Sequence, residues 1–138
     1  MAYADLAALE DRYGAAEIVQ LADRDRDGVA DAGVLAVAQD SADRLIDSYL
    51  ATVGFTVPVA APPAVIVACS AALQRYYLFD DARPDAVVED WKFWLQWLQA
   101  VAAGKILLSL PGAAEPAAGS PAYEMPERLF TFDTLERF

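Results

Sequence analysis

The chain has 138 residues, enough for one domain with a hydrophobic core. Its 21 acidic and 10 basic residues give a formal net charge of −11, which argues against binding nucleic acid through its phosphates. The absence of histidine removes histidine-based catalytic triads and histidine metal ligands. The single cysteine, Cys69, excludes an internal disulfide framework and is expected to be a small buried side chain. No apolar run is long enough to cross a bilayer.

Two short helices are predicted at the start of the chain. The first runs roughly from residue 4 to residue 13, with Asp5 near its start and Gly14 as the break after it. The second is the sequence AAEIVQLA, residues 15–22. It leads directly into an acidic loop.

The acidic loop, residues 23–31, reads DRDRDGVAD and is the most chemically specific stretch of the chain. Alternate aspartates followed by glycine match the first nine positions of an EF-hand calcium loop. The candidate ligands are the carboxylates of Asp23, Asp25, Asp27 and Asp31 and the main-chain carbonyl of Val29. The twelfth position is Val34, where an EF-hand has a bidentate glutamate, so calcium binding here is expected to be weak. The alternative is a solvated turn in which Asp31 caps the next helix.

The next helix is predicted over roughly residues 32–53. Its apolar side chains follow the spacing of one buried face: Leu35, Ala38, Ala42, Leu45, Ile46 and Tyr49. Three aspartates share another face, at positions i, i+3 and i+7: Asp40, Asp43 and Asp47. This acidic face is either an ordinary solvated surface, on which Arg44 pairs with Asp40, or a functional one.

A proline-containing connection and an apolar helix follow. The sequence FTVPVAAPP, residues 55–63, cannot continue a helix and predicts an extended, ordered link. The helix from about residue 63 to residue 79 is apolar nearly all round. Such a helix is typical of the centre of a bundle or of contact with a neighbouring chain.

The last predicted helix, from about residue 84 to residue 103, carries two apolar stripes. The first stripe is expected to face the core, with Trp91, Trp94 and Leu98 packed against Leu45, Ile46 and Tyr49 and against Leu73 or Tyr77. The second stripe, Phe93, Trp97 and Ala100, lies on nearly the opposite side. It indicates either a subunit interface or a surface that the C-terminal tail covers.

The sequence changes character after Gly104. Residues 105–110, KILLSL, suit a short strand or an extended segment, and the proline and glycine spacing of residues 111–126 cannot sustain a helix. Large apolar side chains return near the end, where the expected docking anchors are Phe130, Phe132, Leu135 and Phe138. We therefore predict an all-α fold: a four- to five-helix bundle over residues 1–110 and an extended C-terminal docking arm over residues 111–138.

Six segments follow one another along the chain: MAYADLAALEDRYG, IVQLADRDRDGVAD, ADRLIDSYLA, the proline-rich link, the helix that ends LQRYYLF, and the closing AAGKILLSL. Taken in this order, they resemble the Mu-type phage head-to-tail connector family, the adaptor or head-completion class. The resemblance covers most of residues 1–111 and leaves the tail beyond Pro111 outside it.

This resemblance implies a virion protein without catalytic activity. Such proteins assemble as a ring, commonly of twelve copies, beneath the portal of a DNA-filled capsid, with the portal and a stopper or tail-completion protein as partners. It implies no membrane, no required cofactor, and assembly in the host cytoplasm. A negatively charged lumen would let DNA pass without specific binding. The candidate lumen-facing acids are Asp40, Asp43 and Asp47.

Two other classes of function stay open. A calcium-responsive soluble binding module would use the acidic loop, residues 23–31. A carboxylate-dependent hydrolase has little support, because no pair of acids occupies a recognisable catalytic frame.

Overall fold

The computed structural model describes residues 2–110. Within this range the chain forms five helices and no strand: α1 (Leu6–Tyr13), α2 (Ala15–Ala22), α3 (Ala32–Thr52), α4 (Ala64–Leu78) and α5 (Asp85–Ala102). The predicted all-α fold is confirmed, and no helix end is shifted by more than two residues. Residues 105–110 form neither helix nor strand. The predicted C-terminal arm, residues 111–138, lies outside the described residues.

Local chemistry explains where the first two helices begin and end. The Asp5 carboxylate accepts a hydrogen bond from the main-chain N–H of Ala8 (2.9 Å), which caps the start of α1. Gly14 has a φ of 90° and separates α1 from α2. Few residues other than glycine adopt this backbone conformation at low cost, so Gly14 fixes the break.

Helix α4 occupies the centre of the bundle, as its nearly uniform apolar character predicts. Its buried residues surround the helix axis: Ile66, Ala68, Cys69, Ser70, Ala71, Ala72, Leu73, Gln74 and Leu78. Burial raises the pKa of the Cys69 thiol to about 12, which makes the thiol inert and fits its expected role as a small apolar side chain.

Two clusters of buried side chains hold the helices together. The first core cluster joins α3, α4 and α5 and includes Ile46, Leu50, Leu73, Leu98 and Val101. Trp91, Trp94, Leu45, Tyr49 and Tyr77 pack against it, so the stripe of α5 that was expected to face the core does so. The second core cluster joins α1 and α2 to α3 and α4 through Leu9, Ile18, Ala38, Ala71 and Leu78.

A partly buried ion pair fastens α2 to α4. The Arg75 guanidinium donates to one carboxylate oxygen of Glu17 through Nε (3.2 Å) and Nη2 (2.7 Å). It also lies over the Tyr13 ring, 4.5 Å from the ring centroid. The Arg75 side chain on α4 therefore holds α1 and α2 against the centre of the bundle.

Candidate functional site

The acidic loop brings three of its predicted ligands together. One carboxylate oxygen from each of Asp23, Asp25 and Asp27 lies within 4.8 Å of the other two. Oxygen ligands at this spacing suit a hard divalent cation such as calcium, which takes six to eight oxygens in total. The three side chains could supply part of that shell, and water would have to supply much of the remainder.

Main-chain hydrogen bonds give the loop its shape. The Asp23 carboxylate accepts from the N–H groups of Asp27 (3.1 Å) and Gly28 (2.9 Å). The Asp27 carboxylate accepts from the N–H of Val29 (2.8 Å). Arg26 and Gly28 have φ values of 64° and 86°, so the chain turns twice through the left-handed region. The aspartates are thus held by their own backbone.

Asp31 does not join the other carboxylates. One of its carboxylate oxygens accepts a hydrogen bond from the main-chain N–H of Arg24 (2.8 Å), which closes the loop across its base. Asp31 also occupies the N-cap position of α3, but its side chain makes no capping hydrogen bond there. The expected capping role is therefore corrected: the carboxylate closes the loop instead of capping the helix.

The charges in the loop influence one another. Desolvation raises the pKa of the Asp23 carboxyl, but the N–H donors of Gly28, Asp27 and Arg26 outweigh it, so the net pKa is lowered. The pKa of the Asp25 carboxyl is raised: the Asp27 N–H lowers it, while desolvation and the neighbouring Asp23 carboxylate act more strongly in the opposite direction. Crowded carboxylates repel one another, and a bound cation would relieve that repulsion.

Arg24 connects this loop to the far end of α4. Its guanidinium forms an ion pair with the Asp80 carboxylate, and Nη2 lies 3.4 Å from the carbonyl oxygen of Leu78. The pair lies at the surface, where ion pairs contribute little to stability. Its main consequence is positional, because it sets the loop beside the α4–α5 connection.

The acidic face of α3 divides into an exposed part and a half-buried part. Asp40 is exposed and pairs with Arg44 (2.9 Å), as expected for an i, i+4 pair. Asp43 is half-buried and accepts from the Ser70 hydroxyl (2.9 Å) and from the main-chain N–H of Tyr3 (3.2 Å). Desolvation raises the pKa of the Asp43 carboxyl. Asp47 accepts a hydrogen bond from the Tyr3 hydroxyl.

These half-buried acids belong to a network that fixes the segment before α1. The Gln74 side-chain amide donates to the carbonyl oxygen of Ala4 (2.8 Å) and to the Ser70 hydroxyl oxygen (3.0 Å). Gln39 donates to the same Ala4 carbonyl (3.0 Å). Sequence reasoning missed this network, although two polar residues one turn apart in an apolar helix, Ser70 and Gln74, are a signal for it.

The predicted second stripe of α5 does not form a separate face. Trp97 is half-buried and packs against the first core cluster, whereas Phe93 is 59% exposed. Phe93 meets Trp94 edge to face (centroids 5.3 Å apart), and Trp94 meets Trp97 in the same way (5.5 Å). We call Phe93, Trp94 and Trp97 the α5 aromatic ladder. The anchors expected in the tail, Phe130, Phe132, Leu135 and Phe138, lie outside the described residues.

Within residues 2–110, no helix has the length and apolar character needed to cross a membrane. Residues 2–110 form a small, all-helical domain in which acidic side chains outnumber basic ones. The chain belongs to the bacteriophage Mu Gp36 family, whose model matches residues 3–125. No curated protein matches the chain. The family match continues past Pro111, which corrects the expectation that the tail lies wholly outside the resemblance. Residues 126–138 remain beyond it.

Proposed function

We propose that the protein is a structural component of a phage virion, a head-to-tail adaptor that forms a ring beneath the portal. The observation that carries the proposal is membership of the phage Mu Gp36 family over residues 3–125, a range that includes all five helices. The ring would link the portal to the stopper or tail-completion protein. The protein would act without catalysis and without a required cofactor, in the host cytoplasm during assembly and at the head–tail junction of the finished particle.

The charge of the chain supports a role beside passing DNA. A net charge of −11 disfavours attachment to phosphates, so a ring of many copies would repel DNA from its wall. Asp40, Asp43 and Asp47 line one open groove of about 340 Å³ together with Arg44. Of these acids, Asp40 is the exposed one, and it is the strongest candidate for a lumen-facing charge.

The apolar surface of the chain supports contact with partners. Phe93 offers a large exposed ring on α5, and the tail beyond the described residues contains four further anchors: Phe130, Phe132, Leu135 and Phe138. Aromatic side chains are enriched where protein surfaces meet. In this proposal the tail docks on the portal when the ring assembles.

Deleting the gene from the phage tests the proposed role. Mutant infections should yield filled heads and separate tails that do not join. Supplying the full chain from a plasmid should restore infectious particles. Plasmid copies carrying Phe130→Ser and Phe132→Ser should fail to restore them, whereas a copy carrying Ala113→Ser and Ala117→Ser should succeed. Infectious, tailed particles from the deletion phage would refute the adaptor role.

A calcium-responsive binding module is the second candidate. It is favoured by the convergence of Asp23, Asp25 and Asp27 within 4.8 Å. Such a module would gain order or expose apolar surface when calcium binds. Light scattering of the purified chain with and without calcium separates the two candidates, because a stable monomer that changes only with calcium supports the module.

A further inference from the structure

The outer edge of α5 presents apolar surface that residues 2–110 leave uncovered. Phe93 is 59% exposed at one end of the aromatic ladder, and Leu107, shortly after α5, is 84% exposed. Trp94 and Trp97 are half-buried and pack against the first core cluster, and the Phe93 ring meets the Trp94 ring. Exposed apolar surface of this kind is typical of a site that another segment or another protein covers.

The described residues end at the first core cluster, the same cluster against which Trp94 and Trp97 pack. Leu110, the last described residue, is only 7% exposed and is a member of the first core cluster. Ile106 and Leu108 pack against the same cluster, as do Trp94 and Trp97. The following segment therefore starts close to the ladder, and the covalent connection raises its effective concentration there.

The length of the following chain suits the length of α5. Residues 111–128 are rich in proline, glycine and alanine. A chain of this length spans at most about 60 Å when fully extended. Helix α5 has 18 residues and is therefore about 27 Å long. Residues 129–138, with sequence LFTFDTLERF, can thus reach the ladder from Leu110.

Charge contributes little to a contact between the tail and α5. The two lysines of the chain, Lys92 and Lys105, are both exposed and lie next in sequence to Phe93 and just before Leu107. Neither forms an ion pair with any other described residue. Residues 129–138 carry two acids, Asp133 and Glu136, against Arg137. The exposed acids Glu89 and Asp90 precede Phe93 by about one helical turn and offset Lys92. The contact therefore rests on the burial of apolar surface.

We propose that residues 129–138 of the same chain pack on the α5 aromatic ladder in the free protein, with Phe130 and Phe132 against Phe93 and its neighbours. A tethered segment outcompetes a separate copy at the micromolar concentrations of ordinary solutions, because its effective concentration is higher. This inference rests on the described surface and on the sequence of the tail, so it stands or falls separately from the adaptor role.

Tryptophan fluorescence tests this packing, since Trp91, Trp94 and Trp97 are the three tryptophans of the chain and all lie on α5. In the full chain carrying Phe130→Ser and Phe132→Ser, the emission should shift to the red and acrylamide should quench it more strongly. The matched control in the same tail, Ala113→Ser with Ala117→Ser, should leave both readouts unchanged. Circular dichroism should show the same helical content in all three proteins.

Limited trypsin digestion tests the contribution of Phe93 on α5 to the proposed contact. Phe93→Ser should speed cleavage after Arg128 relative to the parent, because the tail loses its docking surface, while Val37→Ser, on an exposed part of α3, should not. Identical fluorescence and identical cleavage in parent and phenylalanine variants would overturn the proposal. A fluorescence difference that disappears on dilution, together with dimers in light scattering, would also overturn it and assign the surface to a second copy.

Discussion

The Tyr3 hydroxyl donates a hydrogen bond to the Asp47 carboxylate, joining residues 44 positions apart in the sequence. The same hydroxyl oxygen accepts from the main-chain N–H of Val59 (2.9 Å). One side chain thus ties together the segment before α1, the end of α3 and the proline-rich link. Tyr3 is 5% exposed, so these polar groups have little access to water as an alternative partner.

Tyr3→Phe should therefore destabilise the protein by about 1–3 kcal/mol, because it leaves the buried Val59 N–H without its acceptor. Urea unfolding followed by circular dichroism measures the change. Tyr49→Phe is the control, since Tyr49 packs on the same core cluster but its hydroxyl makes no hydrogen bond to any described residue. Equal midpoints for the two variants would contradict the importance given to the Tyr3 contacts.

Asp43 should make stability depend on pH. Its pKa is raised above the ordinary 3.8 by desolvation, so the folded state binds the proton more readily than the unfolded state. The contribution of Asp43 to stability is therefore largest at low pH and is lost as pH rises through the raised pKa. Asp43→Asn removes this pH-dependent loss, so the stability of the variant relative to the parent should improve as the pH rises above about 4. A difference between the two proteins that stays constant with pH would rule out this assignment.

The loss of stability caused by truncating a side chain should increase with the burial of that side chain. Leu98 is fully buried, and Leu98→Ala should cost about 2–5 kcal/mol. Trp94 is half-buried, so Trp94→Ala should fall near the low end of the range of about 3–5 kcal/mol for such truncations. The exposed Val37 on α3 provides the control, with a change of no more than about 0.5 kcal/mol. Chemical denaturation of the three variants checks the order, and a Val37→Ala cost equal to that of Leu98→Ala would contradict it.

The acidic loop should bind calcium weakly, with a Kd of about 10⁻⁴–10⁻³ M, because the closing glutamate of an EF-hand is missing. Isothermal calorimetry at millimolar calcium measures the heat, and thermal unfolding measures the accompanying stabilisation. Asp25→Asn with Asp27→Asn should abolish both signals. Asp81→Asn, at an exposed acid outside the loop, should preserve them. No heat and no thermal shift in the parent protein would refute the metal site and leave the fold unaffected.

The helices could be predicted from the sequence because their signals are local. Apolar spacing, Gly14 and the prolines before α4 and α5 operate within a few residues, so the helix ends were expected to within two positions. The convergence of Asp23, Asp25 and Asp27 was predictable for the same reason. The roles of Asp43 and Asp47 were not, because their partners, Ser70 and Tyr3, come from distant positions that only the packed bundle brings near.

Trp97 shows that sequence patterns also miss contacts between distant apolar residues. Helical periodicity placed it with Phe93 on a face away from the core. The residues after α5, among them Ile106 and Leu108, pack against the first core cluster alongside Trp97 and widen the core on that side. The spacing of apolar residues along one helix does not show which of them a following segment will bury. Of the three residues of the aromatic ladder, only Phe93 is largely exposed.

Electron cryomicroscopy of the head–tail junction in the intact virion tests the adaptor role most directly. The proposal predicts a ring of copies of the five-helix domain between the portal and the stopper, with Phe130 and Phe132 of each copy docked on the portal. Density at that position that belongs entirely to other chains, in particles that lack this protein by mass spectrometry, would contradict it.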